Sequence, residues 1–151
     1  MSIKTLKPIL FKKSDEEWKI HLQKHGYAVI EDVLTKDEIK TGLQLFYKDW
    51  TYVSPNFNFA DKDTWKIENS PMMWGKGMIY ASGLGQSDFQ WYLRTLDNIK
   101  NIWKKLYNTD DLVVSYDGFS VFIDPKQKPG YWLHVDQGNS EKNLSIQGAY
   151  N

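Results

Sequence analysis

The chain has no cysteine, only three histidines, and no apolar run approaching a membrane span. Without cysteine there is no disulfide framework and no thiolate metal site, which is compatible with a reducing intracellular setting. The N-terminus lacks an apolar core followed by a small-residue cleavage site, so the expectation is a cytoplasmic protein with no membrane partner. Charge of one sign is missing too. Lys plus Arg and Asp plus Glu number 19 each, so nothing in the bulk charge points to nucleic acid or an anionic surface.

What is abundant is aromatic. Phe, Trp and Tyr make up 15% of the 151 residues, with seven Trp and nine Tyr. Rings with polar handles line clefts and also build dense cores, so either use is open. The length fits a single domain able to bury a real core.

One stretch suggests a specific chemistry. In Tyr131-Trp132-Leu133-His134-Val135-Asp136-Gln137, a strand would project His134 and Asp136 to one face and Leu133 and Val135 to the other. An imidazole and a carboxylate then converge, as two of the three ligands of the facial triad that holds Fe(II) and leaves other positions open. A strand-end histidine bonded to a neighbouring carboxylate gives the same tripeptide, so context must decide.

From the N-terminus, Ser14-Asp15-Glu16-Glu17 reads as a capping box, followed by a helix carrying Trp18 and Leu22. His21 and His25, four apart, could chelate a metal. Both read as exposed, and His25 before Gly26 suits a helix C-terminus. Tyr27–Ile30 reads as a strand. Thr35-Lys36-Asp37-Glu38 opens a second helix whose expected buried stripe is Ile39, Leu43, Phe46, Tyr47 and Trp50.

Residues 51 to 87 hold Pro55, Pro71 and clustered glycines, and read as a long surface segment with a short strand near Met78–Ala81. Gly83-Leu84-Gly85 lacks the lysine of a phosphate loop and reads as a plain turn. Ser87, with Gln90 three residues on, opens a helix expected to run unbroken to Tyr107 through Phe89, Leu93, Leu96, Ile99, Trp103 and Leu106. Leu112–Tyr116 and Phe119–Ile123 read as strands joined by the hairpin signal Asp117-Gly118. A loop over 124–130, a strand over Tyr131–Val135 and another over Asn143–Asn151 complete the pattern.

The order and spacing of these pieces resemble the phytanoyl-CoA dioxygenase-like family of Fe(II)/2-oxoglutarate-dependent oxygenases. The resemblance rests on His25 through Leu34, on Arg94, on Ile102-Trp103, on Asp110 through Gly118, on Trp132 through Gln137, and on Ser145-Ile146-Gln147-Gly148. It implies an α+β fold in which N-terminal helices wrap the first part of a double-stranded β-helix, or jelly-roll. Residues 1–110 would be the helical wrapper with its long loop, and 111–151 the first core strands.

The same resemblance implies Fe(II) bound by His134 and Asp136. It offers Asp117, Phe119 and Gln147 as cosubstrate candidates for 2-oxoglutarate, and a small organic molecule as substrate. It also suggests that 112–123 is one strand bent at Gly118 instead of a hairpin. The sequence departs from the family where a distal histidine and a basic residue for the cosubstrate carboxylate belong. No His follows His134, and no Lys or Arg follows Lys142.

The expectation is therefore the N-terminal portion of an oxygenase, inactive alone and completed by a complementary C-terminal chain or a homo-oligomer. Two alternatives stand beside it: a non-catalytic binding module of the same ancestry, and an unrelated α+β structural protein.

Overall fold

The computed structural model describes residues 7–73, 77–114, 116, 118–123 and 145–150. They form four helices and four short strands in two small sheets.

Strand β1 (Leu10–Lys12) pairs in parallel with β2 (Val29–Glu31), and α1 (Glu17–His25) lies between them in sequence. A parallel pair requires such a crossover. β1 was not anticipated, because three residues give too short a run to show a period. α1 begins later than the sequence suggests. Asp15 closes a tight turn, accepting from Lys12 N at 2.8 Å through its side chain while its own N–H donates to Lys12 O at 3.0 Å. This turn uses Ser14, whose hydroxyl meets Asp15 instead of a helix amide, and Glu16 stands at the N-cap with no capping hydrogen bond, its carboxylate pairing instead with Lys19 Nζ at 3.0 Å. The expected Ser14 capping box is absent. Gly26 ends α1 as expected, at φ 78°, donating to Leu22 O.

Helix α2 (Lys36–Val53) has the full expected box: Thr35 Oγ1 accepts from Glu38 N, and Thr35 N donates to the Glu38 carboxylate. Its buried face is rotated from the expected stripe. Gly42, Phe46, Trp50 and Val53 turn inward, while Ile39, Leu43 and Tyr47 are exposed. Gly42 faces the neighbouring helix, where a Cβ would stand in ordinary contact with Leu93 Cδ2 at 3.6 Å.

That neighbour is α3 (Asp88–Thr95), whose first turn is capped twice. Ser87 accepts from Gln90 N, as expected, and Asp49 of α2 accepts from Phe89 N at 2.8 Å. Lys48 and Asp88 pair beside it at 2.8 Å. The expected single helix is in fact two, because Leu96 adopts an extended backbone (φ −61°, ψ 130°) before α4 (Asp97–Tyr107). Thr95 bonds back to Trp91 O and Tyr92 O at the break. The apolar spacing carries across Leu96, which conceals the break. The overlooked sign is Asp97-Asn98, residues that favour helix starts.

Asn98 then joins three elements. Its amide donates to both Glu38 oxygens (3.0 and 2.8 Å) and its carbonyl accepts from Lys13 Nζ at 3.0 Å. Lys105 Nζ adds a bond to Lys13 O. The turn after β1, the start of α2 and the first half of α4 are thereby held together.

The core is aromatic. Trp50, Phe57, Ile79 and Leu84 are buried, with Phe46, Phe59, Trp65 and Phe119 against them. Trp50 meets Phe57 edge-on at 5.2 Å, and Phe46 meets Phe59 at 5.6 Å and Phe119 at 6.0 Å. Part of the aromatic excess is therefore spent in a core, while Tyr52, Tyr80 and Tyr116 among others are exposed. The 51–87 segment is not merely superficial, since it delivers Phe57, Phe59, Trp65, Ile79 and Leu84. Its short 3₁₀ turns at Lys62–Thr64, Ile67–Asn69 and Leu84–Gln86 replace regular structure. The last includes the plain turn expected at Gly83, which has φ 75°.

Strand β3 (Met78–Ile79) pairs antiparallel with β4 (Phe119–Ser120), in the register Met78↔Ser120 and Ile79↔Phe119. Among the described residues no hairpin joins 112–116 to 119–123. β4 takes β3 as its partner, 112–114 are not strand, and neither are 145–150. No described helix is long and apolar enough to cross a membrane.

Candidate functional site

The two residues with the sharpest chemical spacing, His134 and Asp136, lie outside the described residues, as does Asp117. What the structure describes is the frame on either side of them. Toward the N-terminal side, β4 leads into Val121 and Ile123, which pack on the aromatic core. Toward the C-terminal side, 145–150 return to α4. There Trp103 Nε1 donates to Tyr150 Oη at 3.0 Å, and Gly148 lies so near the indole that a Cβ would come within 2.7 Å of Cζ2. Burial raises the Tyr150 phenol above its ordinary pKa, and the Trp103 hydrogen bond opposes that shift.

Two glycines set the register of the β3–β4 frame. Val121 N donates to Gly77 O at 2.9 Å, and a Cβ on Gly77 would collide with the Val121 carbonyl. Gly118 lies equally close to Ile79 O at the other end of the ladder. Gly118, suspected from sequence of permitting a bend, is thus required by a close backbone approach.

Phe119 is held in the core, edge-on to Phe89 at 5.5 Å and to Phe46, on the same side as Ile79. Gln147 lies exposed in the return segment beside Gly148. Phe119 and Gln147 therefore sit in different surroundings, one in the core and one on the surface near α4.

Arg94 has a defined place on α3. Its Nη1 donates to Gly85 O at 2.8 Å, and its guanidinium lies 5.4 Å from the centre of the Trp91 ring. Trp91 in turn meets Tyr116 edge-on at 6.1 Å. This Arg94–Trp91–Tyr116 group ties the turn at Gly85 to the segment before β4. The i, i+3 spacing of Trp91 and Arg94 on a helix was its only sign in sequence.

His21 and His25 stack at 4.4 Å. His25 is exposed as expected, but His21 is half-buried against Phe11 and Tyr27, each at 5.1 Å, and its Nε2 has no hydrogen-bond partner among the described residues. Desolvation, and then the neighbouring His25 and Lys24, lower its pKa. Among the described residues no three His, Asp or Glu side chains are grouped to hold a metal.

The described residues thus belong to a mixed helix-and-strand protein built on an aromatic core and two small open sheets. No family model and no solved structure matches the chain. It is similar to the Ava biosynthesis cluster protein O of Aspergillus versicolor, at 24% identity over 139 residues, covering 89% of this chain and 44% of that protein. The chain therefore spans less than half the length of this relative.

Proposed function

We propose that the chain is the N-terminal portion of an Fe(II)/2-oxoglutarate-dependent oxygenase of the phytanoyl-CoA dioxygenase-like kind, acting on a small organic substrate. The observation that carries this reading is the His134-Val135-Asp136 spacing, set after helices, a long loop and strand-like runs in the order that family follows. Similarity to a protein of a biosynthesis cluster supports a small-molecule substrate.

The donor set suits the metal: an imidazole and a carboxylate are the ligand types of a non-haem Fe(II) triad. In this reading His134 contributes a ring nitrogen and Asp136 an oxygen from the same side of a strand. A histidine from a complementary polypeptide completes the set. With the metal bound, the chemistry would be hydroxylation of a C–H bond by O2, one oxygen atom going to the substrate and the other to succinate as 2-oxoglutarate loses CO2. The described residues that flank the two ligands in sequence are anchored, Val121 and Ile123 on the core and Tyr150 on Trp103 of α4.

Co(II) titration of the 151-residue chain mixed with the separately expressed part of the Aspergillus relative outside the matched residues, followed by visible absorption, tests the reading. Binding that falls in His134→Ala by more than the roughly 10–100-fold typical of lost outer-shell partners supports it. Equal binding by the parent and His134→Ala overturns it.

A second reading is a non-catalytic binding module of the same ancestry. Absence of metal binding even with a complementary chain present selects this second reading.

A further inference from the structure

We propose that residues 112–114 form the acceptor edge for a β-strand supplied by a complementary polypeptide, the counterpart of the part of the Aspergillus relative that this chain does not span. The proposal deepens the oxygenase reading by naming the surface its second portion would occupy. It stands on backbone chemistry, however, and survives if no iron is bound.

Leu112-Val113-Val114 has strong strand character, with β-branched residues in succession. Yet among the described residues it belongs to neither sheet. Leu112 N is used in the turn after α4, donating to Asp110 O, while the backbone groups of Val113 and Val114 make no bond to a described residue. Val113 is 98% exposed and Tyr116 74%, and Val114 is also exposed. Bare apolar side chains on a strand-forming run with unused N–H and C=O groups are what proteins cover.

The run is also fixed at both ends. Thr109 N bonds to Lys104 O, Asp111 N bonds to Thr109 Oγ1, and the Tyr116 ring rests against Trp91. A partner strand would therefore meet a segment anchored on either side, and less ordering is needed on binding.

The occupant is identified by chemistry and by length. Amides and carbonyls with no partner among the described residues call for an extended backbone, and Val113 calls for an apolar side chain opposite it. The chain covers 44% of the relative, so more than half of that protein's length has no counterpart here and could hold such strands.

Hydrogen–deuterium exchange on the full 151-residue chain tests this, alone and mixed with the separately expressed part of the Aspergillus relative outside the matched residues. Amides of Val113 and Val114 should exchange at solvent-like rates alone and slow at least tenfold on mixing. The slowing should vanish in Val113→Pro, which removes a strand donor, and in Val113→Asp. Both variants should keep the buried emission of Trp50, showing an intact fold. No slowing on mixing overturns the proposal. So does slowing in the chain alone, which assigns the edge to a second copy if the mass is dimeric and to the chain's own residues if it is monomeric. A complex with a protected edge but no Co(II) binding leaves the strand assignment standing and sinks only the oxygenase reading.

Discussion

Gly118 lies against the main-chain carbonyl of Ile79, with no room for a side chain between the two strands. The obstructing atom is backbone, held in place by the Ile79↔Phe119 pairing, so it cannot swing aside. Gly118→Ala should destabilise the chain by about 1–3 kcal/mol, the usual cost of overpacking. Urea unfolding followed by tryptophan emission measures it.

Gly42 makes the opposite prediction. A methyl there meets Leu93 and Tyr92 at ordinary contact distances within a helix. Gly42→Ala should be neutral or stabilising by up to ~1 kcal/mol, since alanine is the better helix residue. The same unfolding experiment, run beside Gly118→Ala, separates steric from conformational effects of glycine.

The three suspected helix caps should respond unequally. Thr35→Ala removes a complete capping box and should cost about 1 kcal/mol. Ser87→Ala should cost somewhat less, because Asp49 also caps α3. Ser14→Ala should leave the midpoint unchanged, because its hydroxyl caps no helix amide.

Acid should destabilise the fold in two stages. His21 has its pKa lowered, chiefly by desolvation, so the unfolded chain takes up a proton more readily than the folded one. That contribution is complete above the unfolded value of about 6.5 and declines as pH falls through it toward the lower folded value. Glu38 is lowered chiefly by the hydrogen bond from Thr35 N, so its contribution is complete above about 4.3 and is lost as pH falls through the folded value. In His21→Gln the first stage should disappear from the plot of unfolding midpoint against pH while the second remains.

Local chemistry was the most legible part of the sequence. Thr35–Glu38, Ser87–Gln90 and Gly26 were readable because each is a short-range arrangement of donors and acceptors fixed by residue type. The Ser14 signal had the same form and failed, because Asp15 folds the preceding residues into a turn that takes up the serine. The break at Leu96 was hidden by apolar spacing that fits one helix or two in line. The side of α2 that faces inward was set by α3 approaching Gly42, a tertiary contact that periodicity within α2 does not contain. Phe119 shows the same limit at the candidate site. Its position in a strand-like run was plain, but its place among Phe46, Phe89 and Ile79 depended on a strand some forty residues earlier.

The indole of Trp50 has 0% of its surface exposed, rings on several sides and no acceptor for its N–H. Such an indole emits at shorter wavelength than a hydrated one, and it touches side chains from α2 and from the loop that follows. Trp50 therefore gauges whether helix and loop remain joined, and unfolding of either should add a red shift to the summed emission of the seven tryptophans without any added label.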